Sequence, residues 1–356
     1  MPTPNRALNR PITIGGIEVQ PGERRRLELE VGRFYTYTPT TMPIQVICGR
    51  RAGPIMFISA AIHGDELNGV EIIRRLLRVP QLDRLRGTLI AVPIVNLYGF
   101  INTSRYLPDR RDLNRSFPGS NSGSMAARIA ELFMREIVHR CTHGIDLHTG
   151  AIHRSNLPQI RANLDHHETL ELARAFGTPV ILNSEIRDGS LRASAAALDV
   201  PILLYEAGEA LRLDEFCIRG GVDGILRVMR SLGMLGKSRR KPPTEPIIAR
   251  SSAWVRAPQS GVFRAYVGLG DRVMRDQTVL GAVSDPFGER EREIRAPFSG
   301  IVIGRLNLPL VNEGDAIFHV ARFHRTDVAM ERIEGYQESM EADDFPWVDV
   351  PNGSGG

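Results

Sequence analysis

The sequence predicts an α/β fold, with a mixed, mostly parallel sheet flanked by helices, followed by a small all-β domain. Short apolar stretches alternate with amphipathic ones as far as about residue 233, a pattern typical of the strands and helices around a buried parallel sheet. A polar, proline-rich segment follows at 236–246 and indicates a domain edge. Beyond it, short strands separated by Gly-Asp turns contain an internal repeat, which is typical of an all-β module.

The elements of the first part follow from hydrophobic periodicity. Residues 1–50 read as an extended N-terminal segment, in which Leu27, Leu29 and Val31 alternate with Glu28 and Glu30. Continuous apolar stretches predict buried strands, and apolar residues spaced three or four apart predict helices. We expect strands at 54–62, 88–95, 144–148, 179–182 and 201–205, and helices from about 68 and at 125–139, 168–176 and 222–232.

The second part contains a twofold repeat. The motif RAPQSGV at 256–262 recurs as RAPFSGI at 295–301, and GDRV at 270–273 recurs as GDAI at 314–317. Two similar halves that face each other would close a small sandwich or barrel. The pattern resembles the barrel-sandwich fold of biotinyl and lipoyl carrier domains, which carry their cofactor on a turn lysine. The last lysine of the chain is Lys241, so the repeat cannot serve as such a carrier.

We therefore expect residues 1–240 to form the α/β domain and residues 241–325 the β barrel-sandwich domain. Residues 326–356 contain eight acidic residues and one arginine, a net charge of −7 in a chain whose total is +4. The final six residues are Pro-Asn-Gly-Ser-Gly-Gly. This composition is typical of a solvated segment, and we expect an acidic, mobile tail.

Several function classes are disfavoured by composition. The most apolar stretch, at 55–62, is much shorter than the roughly 18 residues of a membrane-spanning helix, and the N-terminus lacks the apolar core of a signal peptide. The three cysteines are too few and too widely spaced for a disulfide framework, so we expect a cytoplasmic protein. Its basic clusters lack interleaved aromatic residues, so we expect neither nucleic-acid nor membrane partners. The composition is compatible with a homo-oligomer.

Two motifs contain residues that bind metal ions. The first, HGDELNG at 63–69, follows the first buried strand and contains His63 and Glu66, whose i,i+3 spacing allows their side chains to converge. The second, GIDLHTG at 144–150, contains His148 at the end of a strand, where functional groups gather in open α/β sheets. Asp146 lies two residues earlier on the same face and could hold the imidazole of His148.

Two further motifs contain residues suited to substrate binding and proton transfer. The loop motif RDLNRSFPG at 111–119 offers Asn114 and Arg115, and arginine is well suited to binding carboxylates. The motif YEAGE at 205–209 places Glu206 directly after an apolar strand, where it could act as a general base.

In this order, the four motifs resemble those of the succinylglutamate desuccinylase/aspartoacylase family of zinc hydrolases, which have a zinc-carboxypeptidase-like fold. The resemblance covers roughly residues 40–230, and the family also has a C-terminal β domain. It implies one Zn²⁺ bound by His63, Glu66 and His148, with Glu206 as the general base that assists attack of zinc-bound water.

The resemblance also implies the roles of several polar residues around the zinc site. Arg105 would polarise the scissile carbonyl, and Asn114 and Arg115 would hold a substrate carboxylate. Independently of the resemblance, Arg161 follows the DLHTG motif closely enough to be a further candidate for substrate binding.

The function implied is that of a zinc-dependent amidohydrolase, or deacylase, that cleaves an N-acyl amino acid or a similar small carboxylate. One alternative is a metallocarboxypeptidase or γ-glutamyl hydrolase that trims a peptide or polyglutamate end. Another is a non-catalytic zinc-binding ligand sensor. A serine hydrolase is disfavoured because the chain contains no G-x-S-x-G motif.

Overall fold

The computed structural model describes residues 7–184, 187–238, 245–249 and 251–341. The strands, in chain order, are β1 (Ile12–Ile14), β2 (Ile17–Val19), β3 (Arg24–Arg33), β4 (Pro39–Cys48), β5 (Arg51–Ala60), β6 (Arg86–Val92), β7 (His143–Gly150), β8 (Arg154–Ala162), β9 (Val180–Asn183), β10 (Ile202–Glu209), β11 (Ile247–Ala249), β12 (Ser251–Arg256), β13 (Gly261–Ala265), β14 (Arg272–Val273), β15 (Val279–Ser284), β16 (Glu291–Arg295), β17 (Gly300–Leu306), β18 (Leu310–Val311) and β19 (Ala316–Arg322). The α-helices are α1 (Asn68–Leu76), α2 (Leu97–Ile101), α3 (Met125–Glu136), α4 (His167–Phe176), α5 (Leu191–Ala196), α6 (Glu215–Ser231) and α7 (Thr326–Glu341). Short 3₁₀ segments occupy Pro80–Arg84, Leu113–Arg115 and Val138–Arg140.

The largest sheet is mixed, and its centre is parallel. Its main strand order is β12-β19-β17-β8-β10-β7-β5-β6-β4-β3, with β9 beside β8, β11 beside β9 and β14 beside β17. The neighbours β10, β7, β5 and β6 run parallel to one another. Strand β8 pairs antiparallel with β10 on one side, and on the other side β4 pairs antiparallel with β6 and β3 pairs antiparallel with β4. The predicted α/β class with a mixed sheet flanked by helices is therefore confirmed, with the parallel pairs of strands at the centre of the sheet.

Helices cover both faces of this sheet, so its central strands are buried on both sides. On one face, α1, α4 and α6 contribute Ile72, Phe176 and Ile225 to a core. On the other face, Phe133 of α3 packs edge to face against Phe57 of β5, with ring centroids 5.7 Å apart. This double burial explains the nearly continuous apolar sequence of β5 and β6.

The repeat at 256–317 folds into two corresponding sets of strands. The first set is β12 to β15 and the second is β16 to β19, and exchanging the two sets leaves the pairing pattern unchanged. Both Gly-Asp turns need a positive φ, which is 91° at Gly270 and 86° at Gly314. The pairing pattern accounts for the sequence repeat by a pseudo-twofold arrangement.

The C-terminal β part has its own core but joins the large sheet. Its core includes Phe263, Leu280 and Phe318. Strand β17 pairs antiparallel with β8, which lies in the N-terminal part of the chain. The domain boundaries at 240 and 325 stay predictions, and residues 239–244 and 250 lie outside the described part of the chain.

The first half of the expected mobile tail is a packed helix. Helix α7 buries Ala329, Ile333, Tyr336 and Met340, which recur at helical spacing. Gly220 of α6 allows this approach, because a Cβ at that position would lie 2.1 Å from the Tyr336 hydroxyl oxygen. The tail prediction was wrong here because the acidic composition hid a narrow apolar stripe. Residues 342–356 lie outside the described part of the chain.

Two elements near the centre of the molecule were not predicted. Strand β8 contains polar residues and Pro158, so it lacks the apolar alternation of a strand, and α5 is only six residues long. In addition, Glu206 was expected after its strand but lies within β10. No helix in the described ranges has both the length and the apolar character needed to cross a membrane.

Candidate active site

The three predicted metal ligands lie together at the carboxyl edge of the parallel strands. His63 and Glu66 lie in the turn between β5 and α1, and His148 lies near the end of the neighbouring strand β7. All three side chains are buried. Gly64 allows the turn to approach α2, because a Cβ at this position would lie 1.9 Å from the carbonyl carbon of Gly99.

The donor atoms of these three residues converge on one point. The Nδ1 atoms of His63 and His148 are each 2.8 Å from a different carboxylate oxygen of Glu66. One ligand atom from each residue lies within 4.8 Å of the others, so the group could hold a metal ion. Two imidazole nitrogens and one carboxylate oxygen form a donor set that zinc accepts.

Each histidine is also held by a second carboxylate. Asp146 is 2.7 Å from Nε2 of His148 and also accepts a hydrogen bond of 2.8 Å from the Ser59 hydroxyl. Asp112 is 3.1 Å from Nε2 of His63. When Nε2–H donates to a carboxylate, the lone pair lies on Nδ1, which faces the common point. Asp146 therefore lies where it was predicted, and Asp112 has a matching position that sequence reasoning missed.

The buried carboxylates make this point favourable for a cation. Burial alone would raise the pKa of Glu66, but the charges of His63 and His148 hold that pKa well below its ordinary value. Burial would lower the pKa of His148, but Asp146 and Glu66 raise it well above its ordinary value.

Arg105 lies beside this cluster, in the loop after α2. Its Nη2 is 3.0 Å from Asp112, and its Nη1 is 3.5 Å from Glu66. Asp112 thus contacts both Arg105 and His63, and it links the loop to the His63, Glu66 and His148 cluster.

We expect Asp112→Asn to weaken metal binding about 10- to 100-fold, as is typical when a carboxylate that orients a ligating histidine is removed. The asparagine keeps the size of the side chain but loses the charge that faces His63. Zinc affinity measured by competition with a chelator checks this result. Asp109→Asn, in the same loop, is the matched control, and equal zinc affinity in the two variants would contradict the role given to Asp112.

Glu206 and Arg161 form an ion pair in the same region. Glu206 lies opposite His148 in the β10–β7 register, and the carboxylate is 2.5 Å from Nε of Arg161 on β8. Both side chains are mostly buried, with 17% and 22% of their surfaces exposed. A carboxylate next to the metal cluster can accept a proton there.

Asn114 and Arg115 lie in the 3₁₀ segment that follows Asp112. The Oδ1 of Asn114 accepts a hydrogen bond of 3.0 Å from the Leu191 N–H at the start of α5. Its amide oxygen is thus engaged with α5, and its Nδ2 is the group that can face a ligand. Arg115 donates to the Asn114 carbonyl oxygen.

All of the predicted site residues line one cavity of about 430 Å³. They are His63, Glu66, Arg105, Asn114, Arg115, Asp146, His148, Arg161 and Glu206. Arg154, Arg187, Arg192 and Trp254 also line the cavity. The last three were missed because they occur far from the four motifs, and their clustering requires the folded chain.

Trp254, which lies on β12 of the C-terminal β part, forms part of the cavity wall. Its indole stacks on His319 of β19, with ring centroids 4.7 Å apart and planes 8° apart. On the same ring, the guanidinium carbon of Arg154 lies 5.4 Å from the centroid of the Trp254 indole. The wall is therefore built from both parts of the chain.

We expect the buried His319 to make the protein less stable in mild acid. Burial, and to a lesser extent the charge of Arg161, lowers the pKa of His319 to about 3. An unfolded histidine titrates near about 6.5, so the unfolded chain binds more protons between these values. The free energy of unfolding should therefore fall as pH falls through about 6.5, by about 2 kcal/mol between pH 7 and pH 5.

Denaturant unfolding at pH 7, 6 and 5 measures this effect. His319→Phe should remove about 2 kcal/mol from the pH dependence between pH 7 and pH 5. Trp254→Phe keeps the histidine and should retain the dependence of the parent protein. An unchanged slope in the His319 variant would contradict the assignment.

Several solved structures have the same fold as this chain. The ectoine utilization protein EutE (DoeB) from Ruegeria pomeroyi superposes with a TM-score of 0.76 at 24% identity, over 84% of this chain and 94% of that chain. A succinylglutamatedesuccinylase/aspartoacylase from Rhodobacter sphaeroides superposes with a TM-score of 0.75 at 24% identity, over 85% and 96% of the two chains. Each alignment covers most of both chains, so these structures share the overall fold.

Sequence comparison identifies the family. The model of the succinylglutamate desuccinylase/aspartoacylase catalytic domain matches residues 52–232. N-alpha-acetyl-L-2,4-diaminobutyric acid deacetylase from Halomonas elongata is 30% identical, and the match covers 79% of this chain and 85% of the relative. Succinylglutamate desuccinylase from Pseudomonas aeruginosa is 30% identical, and the match covers 46% of this chain and 52% of the relative.

The fold and the buried His-Glu-His cluster thus fall within a class of α/β proteins whose members remove acyl groups by amide hydrolysis. The chain belongs to the succinylglutamate desuccinylase/aspartoacylase family.

Proposed function

We propose that this protein is a zinc-dependent amidohydrolase that releases the acyl group from an N-acyl amino acid. The observation that carries the proposal is the His63, Glu66 and His148 cluster, which lies beside Glu206 in an arginine-lined cavity. The two relatives support amide hydrolysis, because their names describe a deacetylase and a desuccinylase.

The cluster fits one zinc ion per chain. Two histidine nitrogens and one carboxylate oxygen are a known catalytic donor set, which leaves a coordination position for water or substrate. Asp146 and Asp112 orient the two imidazoles. Bound zinc would supply Lewis acidity, which polarises a carbonyl oxygen and acidifies water.

The residues of the chain supply proton transfer and charge stabilisation. Glu206 takes a proton from the attacking water and delivers it to the leaving amide nitrogen. Arg105, next to Glu66, faces the charge that develops on the carbonyl oxygen. Arg115 and the Nδ2 of Asn114 hold the carboxylate of the amino acid.

The dimensions and lining of the cavity favour a small substrate over a peptide end. A volume of about 430 Å³ lies in the range of small-molecule sites. Trp254 also forms part of its wall, so the C-terminal β part limits the space beside the metal cluster.

We place the protein in the cytoplasm, because Cys48, Cys141 and Cys217 are free thiols.

A hydrolysis screen tests this proposal. Zinc-loaded protein is incubated with N-acetyl, N-succinyl and γ-glutamyl amino acids, and a short peptide series serves as the comparison. We expect release of the free amine from N-acyl amino acids and its loss after chelation. Turnover of peptides alone would support a carboxypeptidase, and zinc binding without any turnover would support a sensor.

A further inference from the structure

We propose that the free edge of strand β3 pairs with the same strand of a second copy of this chain, so that two large sheets become one. The pairing is antiparallel about a twofold axis at Leu27. It places Arg24 opposite Glu30 of the partner subunit and Arg26 opposite the partner subunit's Glu28. The inference concerns assembly, and it is independent of the proposed catalytic function.

Strand β3 lies at the end of the large sheet and has an unpaired edge. The strand order of that sheet ends at β3, which pairs with β4 on one side. Among the described residues, no strand pairs with the other side of β3. An edge strand presents a row of unpaired N–H and C=O groups, which is a template for another strand. At ten residues, Arg24–Arg33, β3 is long enough to serve as one.

The ladder between β3 and β4 determines which backbone groups face outward. The Cys48 N–H donates to the Glu23 carbonyl, and in an antiparallel pair the hydrogen-bonded residues alternate along the strand. Odd-numbered residues of β3 therefore bond to β4, and even-numbered residues direct their N–H and C=O groups to the free edge. Pro43 is consistent with this assignment, because it lies opposite Glu28, in a pair that needs no N–H from the proline.

The outward-facing residues have a self-complementary pattern of charge. Two arginines are followed by two glutamates, and all four side chains are exposed. These residues are Arg24, Arg26, Glu28 and Glu30. When a second copy of the strand runs antiparallel about Leu27, each arginine lies opposite a glutamate. Cross-strand pairs of opposite charge stabilise a sheet, and here they coincide with the residues whose backbone groups face the partner.

Neighbouring registers do not match these charges. A twofold axis at residue 26 would place Arg26 opposite the partner's Arg26, and an axis at residue 28 would place two copies of Glu28 together. An axis between two residues would pair outward-facing backbone groups with groups that already bond to β4. Because like charges directly opposite each other destabilise a sheet, the axis at Leu27 is favoured.

The regular part of the edge is centred on this axis. The register with β4 is regular from Arg24 to Glu30 and shifts between Glu30 and Gly32. Such a bulge bends the strand and interrupts pairing. The flat edge therefore spans residues 24–30, and Leu27 is its middle residue.

Charged residues on an edge strand often prevent contact between molecules. They do so when the charges repel a second copy, whereas on β3 opposite charges would meet. The side chain of Arg26 has no hydrogen bond or ion pair with any described residue, and Glu28 accepts one hydrogen bond of 3.1 Å from Thr41. Both charges therefore have free capacity for a partner. Leu27 and Leu29 are buried in the core of their own subunit, so the pairing does not require them to move.

The hairpin tip after β3 adds exposed aromatic surface at the end of the same edge. Tyr35 is fully exposed and Tyr37 is 76% exposed. In an antiparallel pair, the end of β3 lies beside the start of the partner's β3. The tip would then approach the partner's turn at residues 20–23, and aromatic residues are enriched at such interfaces.

Sedimentation of the full chain tests the pairing. We expect the parent protein to be a dimer whose Kd rises about tenfold or more in Arg26→Glu and in Glu28→Arg, because each change creates two symmetric pairs of like charge. Both side chains are exposed, so the melting temperature of each monomer should be retained. A parent protein that stays monomeric at all concentrations would overturn the proposal.

A mixture of the two variants tests the register. In a mixed dimer every introduced charge lies opposite a charge of the other sign, so the mixture should dimerise about as tightly as the parent protein. Arg295→Glu, on the edge strand β16 of the small sheet, is the matched control and should keep the parent Kd. Dimerisation that neither variant weakens, or weakened variants that the mixture does not restore, would overturn the proposal.

Hydrogen exchange tests the backbone contact. The N–H groups of the even-numbered residues from 24 to 30 should exchange more slowly in the parent dimer than in the Arg26→Glu variant, because they donate to the partner strand. The N–H groups of Arg25, Leu27 and Leu29 should be equally protected in both, since they bond to β4. Equal exchange of the even-numbered groups in the dimer and in the variant would place the interface elsewhere and overturn the pairing.

Discussion

Replacing Glu206 with glutamine should lower kcat by roughly 10²- to 10⁴-fold, because general acid–base assistance is typically worth that much. Bound zinc should be retained, since the cluster that could hold the metal consists of other residues. The fold should also be retained, because the two side chains have nearly the same shape. Turnover, metal content and melting temperature measured on the same preparation check all three parts.

Glu209→Gln is the matched control for this experiment. Glu209 lies on the same strand and bonds to the His153 N–H and to Asn307, and it does not line the described cavity. We expect its variant to hydrolyse substrate at close to the parent rate. Near-normal turnover by a zinc-containing Glu206 variant would rule out this residue as the base.

Replacing His148 with alanine should remove both zinc and activity. The change deletes one of three ligand atoms from a buried cluster. Metals typically supply several kcal/mol of transition-state stabilisation, and each 1.4 kcal/mol is tenfold in rate, so we expect a loss of about 10³-fold or more. Metal analysis of the purified variant and steady-state kinetics provide the measurements.

His143→Ala is the control from the same strand. His143 contacts Glu168 and Thr142 and does not line the described cavity. The His148 variant removes the imidazole that faces the buried Asp146, which keeps its hydrogen bond from Ser59, so the melting temperature of the variant must be measured as well. A folded His148 variant with full zinc content would remove this residue from the ligand set.

The cluster of His63, Glu66 and His148 could be predicted because local sequence patterns encode its members. His63 and Glu66 are three residues apart in one turn, and His148 lies near the end of a predicted strand. Parallel strands bring their carboxyl ends to one edge of a sheet, so local information was sufficient to place all three together. Asp146 followed from the same strand, since residues two apart share a face.

The contact between Asp112 and His63 was harder to predict than the cluster itself. Asp112 lies in a loop, 49 positions after the histidine, and only the path of that loop brings the two within 3.1 Å. The sequence signal for this contact was that Asp112 is a carboxylate within an otherwise basic motif. The predicted motif residue Asn114 also proved to bond to Leu191 of α5, a helix that periodicity had not indicated because it spans only six residues.

By itself, the sequence determined the α/β class, the twofold repeat of the C-terminal part and the set of residues that could bind a metal. These features depend on periodicity and short spacing, which a single chain displays directly. Only the tertiary structure decided that Arg161 pairs with Glu206 and that Arg187, Arg192 and Trp254 share their cavity. The physical reason is that these contacts join strands and loops distant in sequence, and polar residues selected for such contacts disrupt the apolar patterns that make strands such as β8 recognisable.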